Sequence, residues 1–254
     1  MTAPRLDGPM AQRAKDLIRP VLNRLAGMKI PYKVQIMQPC EPLPDRPILY
    51  AANHFCFADT PIMGRITRER SYILLGRQRL GLLDRLYFRL NGVIYVDRKD
   101  REDMAAAKQT MAAYLDQGRS VVVFPESTWN LTPNLPMLPM RWGIIDVARQ
   151  TGAQIMPAVL DYDRTHKICR VRFGSPVVPT PEEDNAAAIG RLRDTLASMR
   201  WEFWAERGVQ SRADLEPEGE KRTLFYSLEE YPLIDWEYER SCIYVPPHIP
   251  KRFT

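Results

Sequence analysis

Apolar positions along the chain fall into two rhythms. Residues 47–52, 71–75, 93–96, 120–124 and 155–160 are short apolar runs, several without polar alternation, as expected of strands covered on both faces. Residues 168–173 alternate apolar and polar side chains, which predicts an edge strand. Between the runs the spacing turns helical. Residues 79–91 carry Leu82, Leu83, Leu86, Tyr87 and Leu90, 101–117 stop at Gly118, 140–151 stop at Gly152, and 182–206 end in Trp201, Phe203 and Trp204. The glycines are natural helix stops. Strand and helix in alternation predict an α/β fold, a single domain with a mostly parallel or mixed central sheet flanked by helices.

The two ends depart from this rhythm. Near the start, Leu17, Ile18, Val21, Leu22, Leu25 and Met28 recur at helical spacing, with Arg13, Lys15, Arg19 and Arg24 mostly elsewhere on the surface. Pro20 is expected to start or kink that helix. Beyond Gly208 the chain becomes acidic, then aromatic and proline-rich, with Tyr231, Trp236, Tyr238, Tyr244, Pro246 and Pro247. The expected division is a basic amphipathic segment over 1–29, the α/β domain over 30–206, and an acidic, aromatic tail over 207–254 to which the sequence gives no role.

Composition changes this picture in three places. At 254 residues, 45% of them hydrophobic, the chain can bury one sizeable core. No run approaches the roughly 18 apolar residues of a membrane-crossing helix, and the first residues lack a secretion signal's apolar stretch. A membrane, if met, is expected to be met at its surface. The net charge of +5 is unevenly spread, with ten Arg or Lys against four Asp or Glu over 65–101, and five against eleven over 202–240. The basic middle, including Arg77, Arg79, Arg85 and Arg89 around the leucines of 79–91, attracts anionic lipid or a cofactor's phosphates. No nucleic-acid motif accompanies it, so nucleic acid is not an expected partner. Four scattered cysteines, Cys40, Cys56, Cys169 and Cys242, and three histidines give no metal-ligand spacing. Reduced thiols, a cytoplasmic location and no metal are therefore expected.

The chemistry sits where strands end. The run Ala51-Ala52-Asn53-His54-Phe55-Cys56-Phe57-Ala58-Asp59-Thr60-Pro61 follows an apolar strand, and in open α/β sheets ligands bind at the carboxyl ends of strands. His54 has the residue type of a general base, and a carboxylate on its other ring nitrogen would fix the tautomer and stabilise the imidazolium. Asp59 is spaced to supply it. The spacing alone is a weak signal, since Asp59 ahead of Thr60-Pro61 also suits a helix N-cap. Cys56, two residues from His54, is expected to be a small buried side chain rather than a nucleophile. A second strand ends in Phe124-Pro125-Glu126-Ser127-Thr128, and a third in Asp97-Arg98. Arginine offers a planar fork of donors suited to phosphate. Parallel strands would bring these ends to one rim.

Together the blocks resemble the glycerolipid acyltransferase family, which includes the 1-acylglycerol-3-phosphate acyltransferases. Asn53-His54 through Asp59 matches that family's N-H-x-x-x-x-D block, Gly92 through Arg98 its second block, Phe124-Pro125-Glu126 with Thr128 its F-P-E-G-T-R block, and residues 155–159 its fourth, an apolar strand with a central proline. The order is the family's, over roughly residues 30–180. The resemblance implies that 30–206 is an acyltransferase domain. In it His54, oriented by Asp59, deprotonates a lysophospholipid hydroxyl that attacks an acyl-CoA or acyl carrier protein thioester directly. It further implies that Arg98 and Glu126, with Ser127 and Thr128, hold the acceptor's phosphate end, that no cofactor is bound, and that the protein works peripherally on the anionic inner face of a membrane. Ser127 and Trp129 replace the family's glycine and final arginine; Arg141, ahead of a helix, is the residue expected to restore positive charge. Two other functions remain open from the residues: a catalytically degenerate lipid-binding protein at the membrane surface, and an acyl thioesterase.

Overall fold

A computed structural model describes residues 3–37, 46–67, 71–132, 135–208 and 233–243. Cys40, Tyr231, Tyr244, Pro246 and Pro247, and the side chain of Met28, lie outside the described residues. Seven strands form one sheet: β1 (Lys33–Ile36), β2 (Ile48–Ala52), β3 (Ser71–Gly76), β4 (Val93–Val96), β5 (Ser120–Val123), β6 (Gln154–Asp163) and β7 (Ile168–Phe173). Their spatial order is β1-β7-β6-β2-β5-β3-β4. Every pairing is parallel except β6 with β7, so the sheet is mixed and mostly parallel, as the alternating pattern predicts.

The unbroken apolar runs are the central strands. In β2 every residue is buried: Ile48, Tyr50 and Ala52 join the core on one sheet face, Leu49 and Ala51 the core on the other, the period-2 division that a strand imposes. Helices α4 (Arg101–Asp116), α5 (Gly143–Thr151) and α6 (Asn185–Glu206) contribute to the second of these cores, and α2 (Asp59–Ile66) to the first. Asp100 caps α4 by accepting from the N–H groups of Glu102 and Asp103 at 2.9 and 3.3 Å, a stabilisation of about 1 kcal/mol. Pro157 tolerates the interior of β6. Its carbonyl accepts from Gly174 just past the end of β7, so its missing N–H falls where the ladder to β7 has not begun.

Two expectations are corrected. Residues 168–173 are not an edge strand, because β1 pairs along their outer side. Their alternation reports a difference between the two sheet faces: Cys169 and Val171 point into the core, while Arg170 and Arg172 lie over the ring of Phe203. The true edge, Lys33–Ile36, is a four-residue strand with two polar positions, too short and mixed to stand out. Pro20 does not start the helix, since α1 runs from Pro9 to Lys29 with Pro20 in its interior. The hydrogen bond lost at Pro20 is offset by side-chain anchoring on α2 and α3 (Leu82–Asn91). Asn23 donates to the Gly64 carbonyl at 2.7 Å and accepts from Asn91 at 2.7 Å and Tyr87 at 3.2 Å.

Gly92, which ends α3, has φ +90, and a β-carbon there would stand 2.9 Å from Tyr72 and 3.0 Å from Arg19. Only glycine meets both demands. Thus the glycine that opens the second sequence block serves the turn into β4, and through it the placement of Arg98 at the strand's far end.

Candidate active site

β2, β5, β3 and β4 are parallel neighbours, so the segments after β2, β4 and β5 emerge on one rim. Asn53 extends β2 by reciprocal side-chain pairing with Leu160 of β6, donating to its carbonyl at 3.0 Å and accepting from its N–H at 2.7 Å. That clamp fixes where the next residue leaves the sheet. His54 follows, its ring stacked on Phe124 at 4.3 Å between centroids.

Asp59 is fully buried and satisfied entirely by donors. Oδ2 faces His54 Nδ1 at 2.9 Å and accepts from the N–H groups of Phe55 and Cys56, the latter at 2.8 Å; Oδ1 accepts from the Tyr162 hydroxyl. Burial and the neighbouring carboxylate raise the Tyr162 phenol well above its ordinary value, so it stays protonated. Asp59 is the first residue of α2 and makes no side-chain cap; its carboxylate turns back onto the loop instead. With Nδ1–H donated to Asp59, the lone pair of His54 is at Nε2, and His54 lines a small cavity of about 70 Å³ shared with Arg98, Thr128 and Trp129. A hydroxyl placed there can give up its proton to Nε2. Cys56 is fully buried.

Glu126 follows β5 on the same rim, but its side chain points behind the cavity. It is 1% exposed and accepts from the backbone N–H groups of His54 at 2.9 Å and Leu138 at 2.7 Å. It thereby ties the His54 loop to the segment after residue 135. Burial pushes its carboxyl up to about 7, against the pull of both N–H groups and of Arg200. Since this value lies above the ordinary 4.5, the native state holds the proton more tightly than the unfolded chain between the two. The stability this group contributes is therefore complete below about pH 4.5 and lost as pH rises through about 7, on the order of 3 kcal/mol in all. Thermal unfolding is expected to shift down by roughly 5 to 10 °C between pH 5 and pH 8 on this account. Glu126→Gln should start less stable, because its amide faces a backbone donor, yet lose that slope. An unchanged slope in the variant would refute the assignment.

Arg98 follows β4 and is largely buried. Its guanidinium donates to the Ser127 carbonyl and forms a two-pronged pair with Glu239, 2.9 Å on the Nη1–Oε2 prong. Thr128 donates to the same carboxylate at 3.0 Å. Arg141 donates to the Cys242 carbonyl at 3.3 Å and borders a second, mostly apolar cavity of about 360 Å³ between α4 and α5, which shares Arg98 and Ser127 with the first. Of the sequence-derived site residues, His54, Arg98, Ser127 and Thr128 meet at one cavity, with Asp59 and Glu126 directly behind His54.

The sequence model of the acyltransferase family matches residues 33–161, which contain this rim from Asn53 to Tyr95 and on through Glu126. The chain belongs to the acyltransferase family. A 1-acyl-sn-glycerol-3-phosphate acyltransferase of Chlamydomonas reinhardtii is 29% identical over 51% of this chain and 39% of its own length. A lyso-ornithine lipid O-acyltransferase of Pseudomonas aeruginosa is 25% identical over 72% of this chain and 65% of its own length. The chain thus matches less than two thirds of either relative. The crystal structure of the 1-acyl-sn-glycerophosphate acyltransferase of Thermotoga maritima superposes with a TM-score of 0.60 at 17% identity, covering 82% of this chain and 86% of that one, and shares the fold.

Two departures of this chain from the family pattern now have a physical reading. Ser127, where the family carries glycine, has φ +62, the left-handed conformation that favours glycine, so the backbone turn is kept at a cost of about 1 kcal/mol. Trp129, where the family carries arginine, is buried between His54 at 5.9 Å and Trp236 at 5.4 Å. Trp236 opens α7 (Trp236–Ser241), within the acidic, aromatic tail that carries no recognisable motif. Sequence reasoning also passed over Tyr162, Arg200 and Glu239. A tyrosine inside a strand and an arginine inside a helix carry no spacing signal, and Glu239 lies 141 residues from its partner Arg98.

Proposed function

We propose that the protein transfers a fatty acyl group from a thioester, acyl-CoA or acyl carrier protein, to the hydroxyl of a lysophospholipid or related lipid alcohol. The observation that carries this is the buried Asp59 carboxylate on His54 Nδ1, which leaves Nε2 basic in a cavity at the carboxyl edge of the sheet. The acceptor hydroxyl gives its proton to Nε2 while its oxygen bonds to the thioester carbonyl carbon. The tetrahedral intermediate collapses, the C–S bond breaks, and the departing thiolate takes the proton from the imidazolium. Asp59 balances the imidazolium charge in between. Glu126 acts through the His54 N–H as a positioning residue, and Arg98, Ser127, Thr128 and Arg141 border the acceptor's head group.

Product analysis by mass spectrometry, with a panel of lysolipids and both donors, tests this. A new ester with stoichiometric thiol release supports the reading; free fatty acid alone would instead make the protein a thioesterase, and no turnover of any donor would leave a binding protein.

We propose further that the acceptor is met at an anionic membrane surface. Among the described residues no helix is long and apolar enough to cross a membrane. α1 and α3 leave Leu17, Val21, Leu25, Leu82, Leu83 and Leu86 half or more exposed, beside Arg79, Arg85 and Arg89. Between these helices runs an apolar groove of about 530 Å³ that reaches Phe57, three residues from His54. Exposed leucines rimmed by arginines suit shallow insertion among anionic head groups. Each inserted leucine contributes roughly 1 to 2 kcal/mol, so Leu83→Glu with Leu86→Glu is expected to cut partition onto phosphatidylglycerol vesicles by at least about tenfold in sedimentation. Wild-type partition should also weaken in high salt. Equal partition of variant and wild type would dismiss this face as the docking surface.

A further inference from the structure

The family resemblance gives Arg98 to the acceptor's phosphate, yet in this chain its fork is already filled. Glu239 takes both prongs, the Ser127 carbonyl takes a further N–H of Nη1, and among the described residues Nε has no acceptor. Nε instead lies against Gly76, where even a β-carbon would come within 2.9 Å. Three of its five N–H donors are thus taken within the chain, both end prongs of the fork by Glu239. The pair is also fixed in place: both side chains are about one-tenth exposed, the guanidinium lies over the Tyr238 ring at 5.2 Å, and Tyr238 donates to Asp97 at 3.0 Å. Trp236 and Ile234 complete the seat in an apolar cluster with Trp129, Leu75 and Phe88. The tryptophan that replaces the family's arginine and the glutamate that covers Arg98 are thus parts of one arrangement.

Charge decides what such a site admits. A phosphomonoester carries about −1.5 to −2 at neutral pH and would have to sit beside a buried carboxylate, or expel it and leave a tryptophan-lined seat open. A carboxylate has about four acceptor positions, and Arg98 and Thr128 use three of those on Glu239. One position remains, Glu239 lines the same cavity as His54, and a carboxylate there suits an ammonium donor.

We propose that Glu239 is a specificity-determining residue of the acceptor site: it neutralises Arg98 from within the chain and selects a lysolipid whose head bears an amine and no phosphomonoester. This rests on the acyltransferase reading above, and the test separates the two. Wild-type protein and Glu239→Gln, in the full chain, are assayed with lysophosphatidic acid and with a lyso-ornithine lipid of matched chain length. The wild type is expected to favour the amine-bearing acceptor at least tenfold in kcat/KM. Glu239→Gln is expected to erase that preference through KM, with lysophosphatidic acid gaining. Equal acceleration of both acceptors would make α7 a plug rather than a selector and overturn the proposal, as would an unchanged preference. Transfer to neither acceptor by the wild type would overturn the acyltransferase reading itself. Should Glu239→Gln lose its thermal transition, Glu239→Asp, which keeps the charge but not the reach, is read instead. There KM should rise for the amine-bearing acceptor alone, and a rise for both or neither overturns the proposal.

Discussion

His54→Ala is expected to lower kcat for acyl transfer by roughly 10² to 10⁴-fold, the usual contribution of a positioned general base, with KM for either substrate little changed. The asymmetry follows from where the ring acts. His54 receives a proton only as the acceptor oxygen bonds to the thioester, so its loss removes an interaction made in the transition state and not in the ground state. The fold should survive. The ring stacks on Phe124 and holds one hydrogen bond to Asp59, and it borders an existing cavity that solvent can enlarge. A cost of about 1 to 2 kcal/mol is expected, or a few degrees in thermal unfolding. Thiol release measured beside the melting curve checks both halves. Transfer at the wild-type rate in His54→Ala would end the proposed mechanism.

What the sequence made legible divides along physical lines. The sheet was readable because its central strands are buried on both faces and carry unbroken apolar runs; β2 and β5 are wholly buried. β1 was not readable, because four residues with two polar positions carry no periodic signal. The edge assignment of 168–173 failed for a related reason: side-chain alternation reports the two faces of a strand and says nothing of its neighbours. In the site, His54 and Asp59 could be paired because the contact is local, five residues apart. Glu126 could be placed on the rim but not oriented. A carboxylate after a strand reads alike whether it faces the cavity or accepts two backbone N–H groups behind it. The contact of Arg98 with Glu239 depends on a helix brought back across the whole domain, and local spacing holds no trace of such a contact. Trp129 did stand out against the family pattern, and its reason, the docking of Trp236, became visible only with α7 in place.

Asp59→Asn tests the other half of the dyad and is expected to fail in two measurable ways. The first is catalytic. An amide can reproduce the geometry, its oxygen accepting from His54 Nδ1 and the two loop N–H groups while its N–H₂ donates to the Tyr162 oxygen. It cannot supply the negative charge that stabilises the imidazolium, and a loss in kcat on the order of 10² to 10⁴-fold follows. The second is structural. Five donors converge on the Asp59 carboxylate, the Cys56 thiol among them, and charge-assisted bonds become neutral ones, which costs about 1 to 3 kcal/mol. Asp59→Ala, which strands all five donors in a buried site, should cost more, about 3 to 5 kcal/mol. Tyr162→Phe separates the two effects. It removes one donor to Oδ1 and leaves the charge facing His54, so stability should fall by about 1 kcal/mol while kcat stays within about tenfold of wild type. If Asp59→Asn instead kept wild-type kcat and lost only stability, Asp59 would be a structural anchor of the loop, and His54 would have to act as a base without a carboxylate partner.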